Sequence, residues 1–365
     1  MKLSYLSLLA LAPLAASAAE QYWVAPTNAD NAHWVKGFSL NNPASWFDAD
    51  KLNNKNPRTT EGDAIEAAGG VPDGPLCWAA TAANIAAQWE ARNVETVRET
   101  QGRDPKSAEE IFEDFTASVV SETGTLTAGT RWYFVGGVKE TMLKEDASNE
   151  GNYTGNVDYS VEHMDFLNTT SNGWTWNEDY GAPFTTNFDA TKIDRAAIYK
   201  QWSDALVGWI DNGYSIGLGV AGIGYSHAIT LWGVETDANG NVTRMWLTDS
   251  DDDTNAPMGD MGLFSVSCTL VDVETEMWNY GGPEEYGLHY PGLAEYLSLQ
   301  SDVDYKGYNW YSFNPETGLG DVVTDIYAVK VTSKLYGEND IVPEPATATL
   351  SLLALAGLCA RRRRH

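Results

Sequence analysis

Apolar positions first fall into a helical rhythm between Pro75 and Trp89, where Trp78, Ala82, Ile85 and Trp89 recur at steps of four, three and four. That is the period of a helix with one buried stripe, and Gly74-Pro75 stops whatever precedes it. Cys77 thus stands in the first turn. Ser107-Ala108-Glu109-Glu110 reads as a capping box opening a second helix, with Ile111, Phe115 and Val119 on one face. Thr127 to Lys144 predicts a third, built on Trp132, Val135, Val138 and Met142. A fourth runs from Asp194 to Asn212: Asp194 caps it, Ile198, Trp202, Ala205 and Trp209 face inward, and Gly213 ends it.

The rhythm then changes from helical to alternating. Ser215 to Val220 alternates apolar residues with glycine, as a buried strand does where another backbone or a substrate comes close. Two strand-like runs, His227 to Val234 and Val242 to Asp249, are joined by a turn containing Asp237-Ala238-Asn239-Gly240-Asn241, a strong hairpin signal. Phe264 to Leu270 alternates once more and would bury Cys268 as a plain hydrophobe, which argues against a Cys77–Cys268 bridge. Less periodic are Gln21 to Asp50, an aromatic stretch read as an extended segment on the domain surface, Leu52 to Gly74, read as a loop, and Asn149 to Thr186, read as loops and short strands. Helices dominate the first half and strands the second, so the expected class is α+β, a helical half with a central Cys77 helix packed against an antiparallel sheet half.

The two ends differ from this body. Residues 1–19 read as a secretory signal, with Lys2, the apolar run Leu6 to Leu14 and the small-residue site Ala16-Ser17-Ala18-Ala19. Val342-Pro343-Glu344-Pro345 precedes a short apolar run, Leu350 to Leu358, and four arginines. This end looks like a PEP-CTERM sorting tail, which implies processing at the surface of a Gram-negative bacterium and membrane contact only before that cut. The expected division is signal 1–19, one folded domain over 20–338, and linker with sorting segment 339–365. The net charge of −28 makes nucleic acid and anionic membrane poor partners. Removing both ends would make the chain more acidic still.

Candidate chemistry lies at the Cys77 helix and the hairpin. Unpaired N–H groups and the dipole at a helix N-terminus favour a thiolate, and the same amides can hold an oxyanion. Taken alone, Cys77 reads more readily as a small apolar residue of a core helix. A hairpin centred near Ala238 sets His227 opposite Asp249, their β-carbons about 5 Å apart, and an aspartate beside a histidine fixes its tautomer and supports the imidazolium. Asp251, two residues on, would share that face if the strand continued. Other readings of Asp249-Ser250-Asp251-Asp252-Asp253 are a solvated acidic turn or a calcium loop, although an EF-hand needs glycine and glutamate where Thr254 and Asp260 stand. His33, His163 and His289 have no partner identifiable by spacing. The 14 tryptophans raise a carbohydrate-binding face, but those in the predicted elements fall at core spacing.

At these residues the chain resembles the Mac family of immunoglobulin-G-degrading cysteine peptidases of streptococcal type. The shared pieces are Leu76-Cys77-x-Ala79-Ala80-Thr81-Ala82-x-Asn84, His227-x-Ile229-x-x-Trp232-Gly233, and Asp237-x-Asn239-Gly240-Asn241 continuing to Thr248-Asp249-Ser250-Asp251. Gln21-Tyr22-Trp23-Val24 and a last strand, Val322 to Val331, look like the family's ends, so the resemblance runs from about Gln21 to Thr332. It implies a papain-like fold with Cys77 as nucleophile, His227 as base, Asp249 orienting it and Asp251 assisting. It also implies an oxyanion-hole lysine: Ser45-Trp46-Phe47-Asp48-Ala49-Asp50-Lys51 is similar to the family's segment and nominates Lys51, for which an exposed surface lysine is the competing reading. Trp78 stands where the family has glycine, and Met277 to Pro315 has no counterpart.

The expected function is therefore a secreted, surface-sorted cysteine endopeptidase acting through a thioester on an extracellular protein, immunoglobulin-like proteins among the candidates, with no metal or organic cofactor. The alternatives are a catalytically silent adhesin or glycan-binding protein on the same fold, and a transglutaminase-like acyl transferase.

Overall fold

The computed structural model describes residues 21–51, 76–118, 124–135, 161–170, 174–177, 195–222, 225–251, 261–274, 293–304, 311–317 and 319–333. The expected signal, the 52–74 loop, the sorting tail, His289 and the larger part of Met277 to Pro315 lie outside these residues. The class is α+β. Among the described residues there are five α-helices: α1 (Cys77–Arg92), α2 (Val94–Gln101), α3 (Ala108–Ser118), α4 (Leu126–Val135) and α5 (Arg195–Asp211). The strands are β1 (Ala32–Trp34), β2 (Val161–Thr170), β3 (Trp174–Asn177), β4 (Ser215–Gly222), β5 (Tyr225–Thr236), β6 (Val242–Thr248), β7 (Phe264–Ser267), β8 (Leu270–Glu274), β9 (Leu293–Ser298), β10 (Gln300–Ser301), β11 (Phe313–Asn314), β12 (Leu319–Gly320) and β13 (Val322–Ser333).

Eleven of these strands form one antiparallel sheet whose main path runs β10-β7-β6-β5-β4-β13-β2-β3, with β1 added on β5. β13 lies inside it, paired along its length with β4 on one side and β2 on the other. Neighbouring residues of β4 point to opposite faces. Ile216, Leu218 and Val220 pack with Trp202, Leu206 and Ile210 of α5. A Cβ on Gly217 would stand 2.2 Å from Leu126 of α4 and 3.1 Å from Thr81 of α1. Helices therefore cover both faces, α5 on one and the α1–α4 group on the other, rather than forming one half beside a sheet half. The β4 glycines make room for helix side chains and for Asp325 of β13, rather than for a backbone or a substrate.

Two other expectations change for physical reasons. α1 is buried from Trp78 through Glu90 on every side, not along one stripe. Its alanines let α3 and α4 approach on one flank and the sheet on the other. The Gln21–Asp50 segment is not merely laid on the surface. Its β1 pairs with β5, Tyr22 bridges to Phe264, and Trp34 packs on Trp246 with ring centroids 4.6 Å apart.

The capping box at α3 forms as its residues specify: Glu110 N–H donates to Ser107 Oγ at 3.2 Å, and Ser107 N–H to Glu110 Oε2 at 2.8 Å. Gly213, at φ 81°, ends α5 with its N–H on the Ile210 carbonyl at 2.9 Å. α4 is described as far as Val135, and residues 136–144 of the longer predicted helix lie outside the described set. α2 has no precedent in the hydrophobic pattern, because its sequence Val-Glu-Thr-Val-Arg-Glu-Thr-Gln buries only Thr96 and Val97.

Candidate active site

Three pieces of chain deliver the site. The first is the start of α1. Leu76, fully buried, occupies the N-cap without a capping side chain, so Cys77 opens the helix beside uncapped backbone donors. The second is β5, which carries His227 opposite Val220 of β4. The third is the end of β6, from which Asp249 to Asp251 turn back toward the histidine.

The hairpin register differs from the one read from sequence. A turn centred on Ala238 would set Thr230 against Trp246, whereas Thr230 pairs with Thr248, and irregularities interrupt the ladder between Leu231 and Gly233 and between Glu235 and Thr236. Asp249 thus stands beyond the last ladder pair, and Asp251 lies in a turn instead of a continuing strand. The contact forms all the same. His227 Nε2 meets Asp249 Oδ1 at 2.5 Å, and Asp251 Oδ2 lies 3.6 Å from the same nitrogen. The Asp251 N–H donates to Asp249 Oδ1 at 3.0 Å, folding the turn over the carboxylate.

Lys51 is reached by a separate route. Thr248 Oγ1 accepts from Trp232 Nε1 at 3.0 Å and donates to the Phe47 carbonyl at 2.9 Å, and the Lys51 N–H donates to Ser250 O at 3.0 Å. These bonds lash the 47–51 segment to the end of β6. Lys51 is 1% exposed, so it is not a surface lysine, and its ammonium pairs with Asp251.

Electrostatics follow from this packing. Burial alone would push the Cys77 thiol up, but the hydrogen bond to His227, the charges of His227 and Lys51, and the Ala228 backbone outweigh it and hold the thiol below its ordinary range. His227 moves the other way. Burial opposes its charge, but the charges of Asp249 and Asp251 and its bonds to Asp249 and Cys77 hold it well above the usual histidine value. With Nε2 on Asp249, Nδ1 is the ring atom left to serve the thiol. Such a pair favours thiolate and imidazolium together, the form that attacks a carbonyl and protonates a leaving amine.

All five sequence-derived candidates, Cys77, His227, Asp249, Asp251 and Lys51, therefore converge. Cys268 does not join them. It is a free cysteine in the strand-side core, its thiol pushed far up first by burial and then by the charge of Asp302. His33, without an assigned partner in sequence, pairs through Nδ1 with Asp211 at 3.0 Å. Of the tryptophans in the predicted elements, Trp78, Trp89, Trp132, Trp202, Trp232 and Trp246 are buried as their spacing implied, whereas Trp209 of α5 is only half-buried. Sequence reading missed Tyr311, whose hydroxyl donates to Asp249 Oδ2 at 2.5 Å. It lies in a stretch without helical or alternating pattern, so no local signal marked it.

Among the described residues, His227, Asp249 and Asp251 are the one group whose ligand atoms lie close enough, within 4.8 Å, to share a metal ion. Lys51 and Tyr311 already engage its two carboxylates.

Comparison with known proteins adds one match. A family model described as Mac 1 covers residues 181–282, the span holding His227, Asp249 and Asp251 but neither Cys77 nor Lys51. That family is associated with cysteine peptidase activity and immunoglobulin G degradation. No curated protein matches the chain. The match corrects the resemblance drawn from sequence. It reaches neither to Gln21 nor to Thr332, and it carries neither a papain-like clan nor a PEP-CTERM tail, so the chain is assigned to neither.

Proposed function

We propose that the protein is a secreted cysteine endopeptidase, with residues 20–338 as its catalytic domain, exported by residues 1–19 and acting on an extracellular protein. The observation that carries this reading is the Cys77–His227–Asp249 chain, in which the thiol is held low and the imidazole high while the Asp249 contact measures 2.5 Å. The Mac 1 match over the segments that carry His227 and Asp249 supports it and makes immunoglobulin G the first substrate to test.

Cys77 Sγ, as thiolate, attacks the peptide carbonyl carbon. The oxyanion that forms is met by the Cys77 N–H and the Lys51 ammonium. The intermediate collapses as the His227 imidazolium passes its proton to the leaving amine, which departs and leaves a thioester. Neutral His227 then takes a proton from water, whose oxygen attacks the thioester carbon. Thiolate is expelled, the acid product is released, and the ion pair is restored. Through both steps Asp249 keeps the imidazole aligned.

The test is the rate of iodoacetamide labelling at Cys77 against pH, mapped by mass spectrometry, in wild type and His227→Ala. Fast labelling at about pH 6 that is lost in the variant supports the reading. Labelling that rises only near the ordinary thiol pKa of about 8.5 and ignores His227 sinks it and favours a silent adhesin. Adduct formation with an added amine, in place of cleavage, would move the protein to acyl transfer.

A further inference from the structure

A carboxylate has two oxygens, and the reaction above accounts for one of those on Asp249. Oδ1 receives His227 and the Asp251 amide. Oδ2 receives the Tyr311 hydroxyl at 2.5 Å, a separation at the short end for a hydroxyl donating to a charged acceptor.

Tyr311 is 2% exposed and anchored from several directions. Its N–H donates to Ser301 Oγ and its carbonyl accepts from the Ser301 N–H, both at 3.0 Å. Its ring stacks on Phe264 with centroids 5.6 Å apart and planes 10° apart. Phe264 pairs with Leu247 of β6, the strand that delivers Asp249, and Ser301 of β10 pairs with Val266 of β7. The hydroxyl is thus aimed by the sheet itself. A phenol, with its ordinary pKa of about 10, keeps its proton at working pH and can only donate to a carboxylate.

We infer that Tyr311 is a positioning residue of the active site: its hydroxyl orients Asp249 and holds it ionised, and through Asp249 and His227 it sustains the Cys77 thiolate. The inference rests on the peptidase reading above. Donation to an ionised carboxylate favours the charged form. Without the hydroxyl, Asp249 takes up a proton at higher pH, the imidazolium loses its support there, and the thiolate loses the imidazolium.

The effect should appear at the acid limb of Cys77 labelling in the full chain. Tyr311→Phe keeps the ring and its stack and removes one oxygen. Its limb should move up by about one pH unit, roughly a tenfold slower labelling on the acid side, while labelling above pH 9 is unchanged. A fluorotyrosine placed at 311, isosteric but a stronger donor, should move the limb down, and serves as the decisive variant if Tyr311→Phe loses its fold on melting analysis. In an Asp249→Asn background, Tyr311→Phe should add nothing. A Tyr311→Phe curve that overlays wild type, or an added shift in the Asp249→Asn background, overturns the inference and leaves the peptidase reading intact. A wild type with no His227-dependent labelling below neutral pH overturns both.

Discussion

Cys77 and His227 carry opposite shifts, and the pH behaviour follows from their signs. The raised value of His227 means that its contribution to stability is complete below about 6.5, the ordinary histidine value, and is withdrawn as pH rises through the raised one. The lowered value of Cys77 means that its contribution is present above the ordinary thiol value and is lost as pH falls through the lowered one. The gap in melting temperature between wild type and His227→Ala should therefore be wide at pH 6 and shrink toward alkaline pH, a series readable by calorimetry. An undiminished gap at pH 10 would contradict the assignment. In the proposed reaction Lys51 acts on charge that develops later. Lys51→Met should lower kcat by about 10²–10³ with KM little changed. It should also raise the acid limb of Cys77 labelling, because the Lys51 charge helps hold the thiol down. A variant whose kcat is intact would restrict Lys51 to its pairing with Asp251.

Elements hold these residues where single contacts could not. α1 is surrounded, so the polar groups along it need partners, and Glu90 meets that need most fully. It is 0% exposed, accepts from Arg103 through both oxygens at 2.7 and 2.8 Å, and receives the Tyr133 hydroxyl at 2.5 Å and the Lys106 N–H at 2.8 Å. Those bonds tie α1 to α4 and to the turn before α3. Glu90→Ala would leave Arg103 facing a buried site without its carboxylate, and should cost about 3–5 kcal/mol in urea unfolding. Activity per folded molecule should persist, because Glu90 lies at the far end of α1 from Cys77. On the sheet side, Asn84 Nδ2 donates to Thr230 Oγ1 at 3.0 Å, which fixes α1 against the strand carrying His227. Asn84→Leu should therefore reduce Cys77 labelling at pH 6 as well as stability. A labelling rate equal to wild type would mean that apolar packing alone sets the helix position.

Across the whole molecule, the N-terminal segment is part of the site rather than a preface to it. β1 extends the sheet at β5, Trp246 Nε1 donates to Val24 O at 3.0 Å, and residues 47–51 are bonded to the end of β6. Removing residues 1–51 would uncover the buried Trp232 and Trp246 and delete Lys51. The shortened protein should unfold without a sharp transition and show no pH 6 labelling, whereas removal of residues 1–19 alone should leave both unchanged. No helix among the described residues is long and apolar enough to cross a membrane.

Local chemistry was legible in the chain wherever one short stretch had to satisfy itself. The Ser107–Glu110 capping box, the Gly213 stop, the turn around Asn239-Gly240 and the helix-opening place of Cys77 all depend on neighbours within a few residues, and the amino acids state them directly. Pairing across the hairpin was legible only approximately. His227 and Asp249 do meet, but ladder irregularities shift the register, and a turn brings Asp249 back by a path that alternation does not encode. What tertiary structure decided was everything that depends on distant segments meeting: the burial of Lys51, the helices on both faces that require glycine at 217, and the hydroxyl of Tyr311 on Asp249. A sequence pattern reports the period of its own element. Which side chain from another element fills the remaining lone pair is fixed only when the sheet and helices close around it.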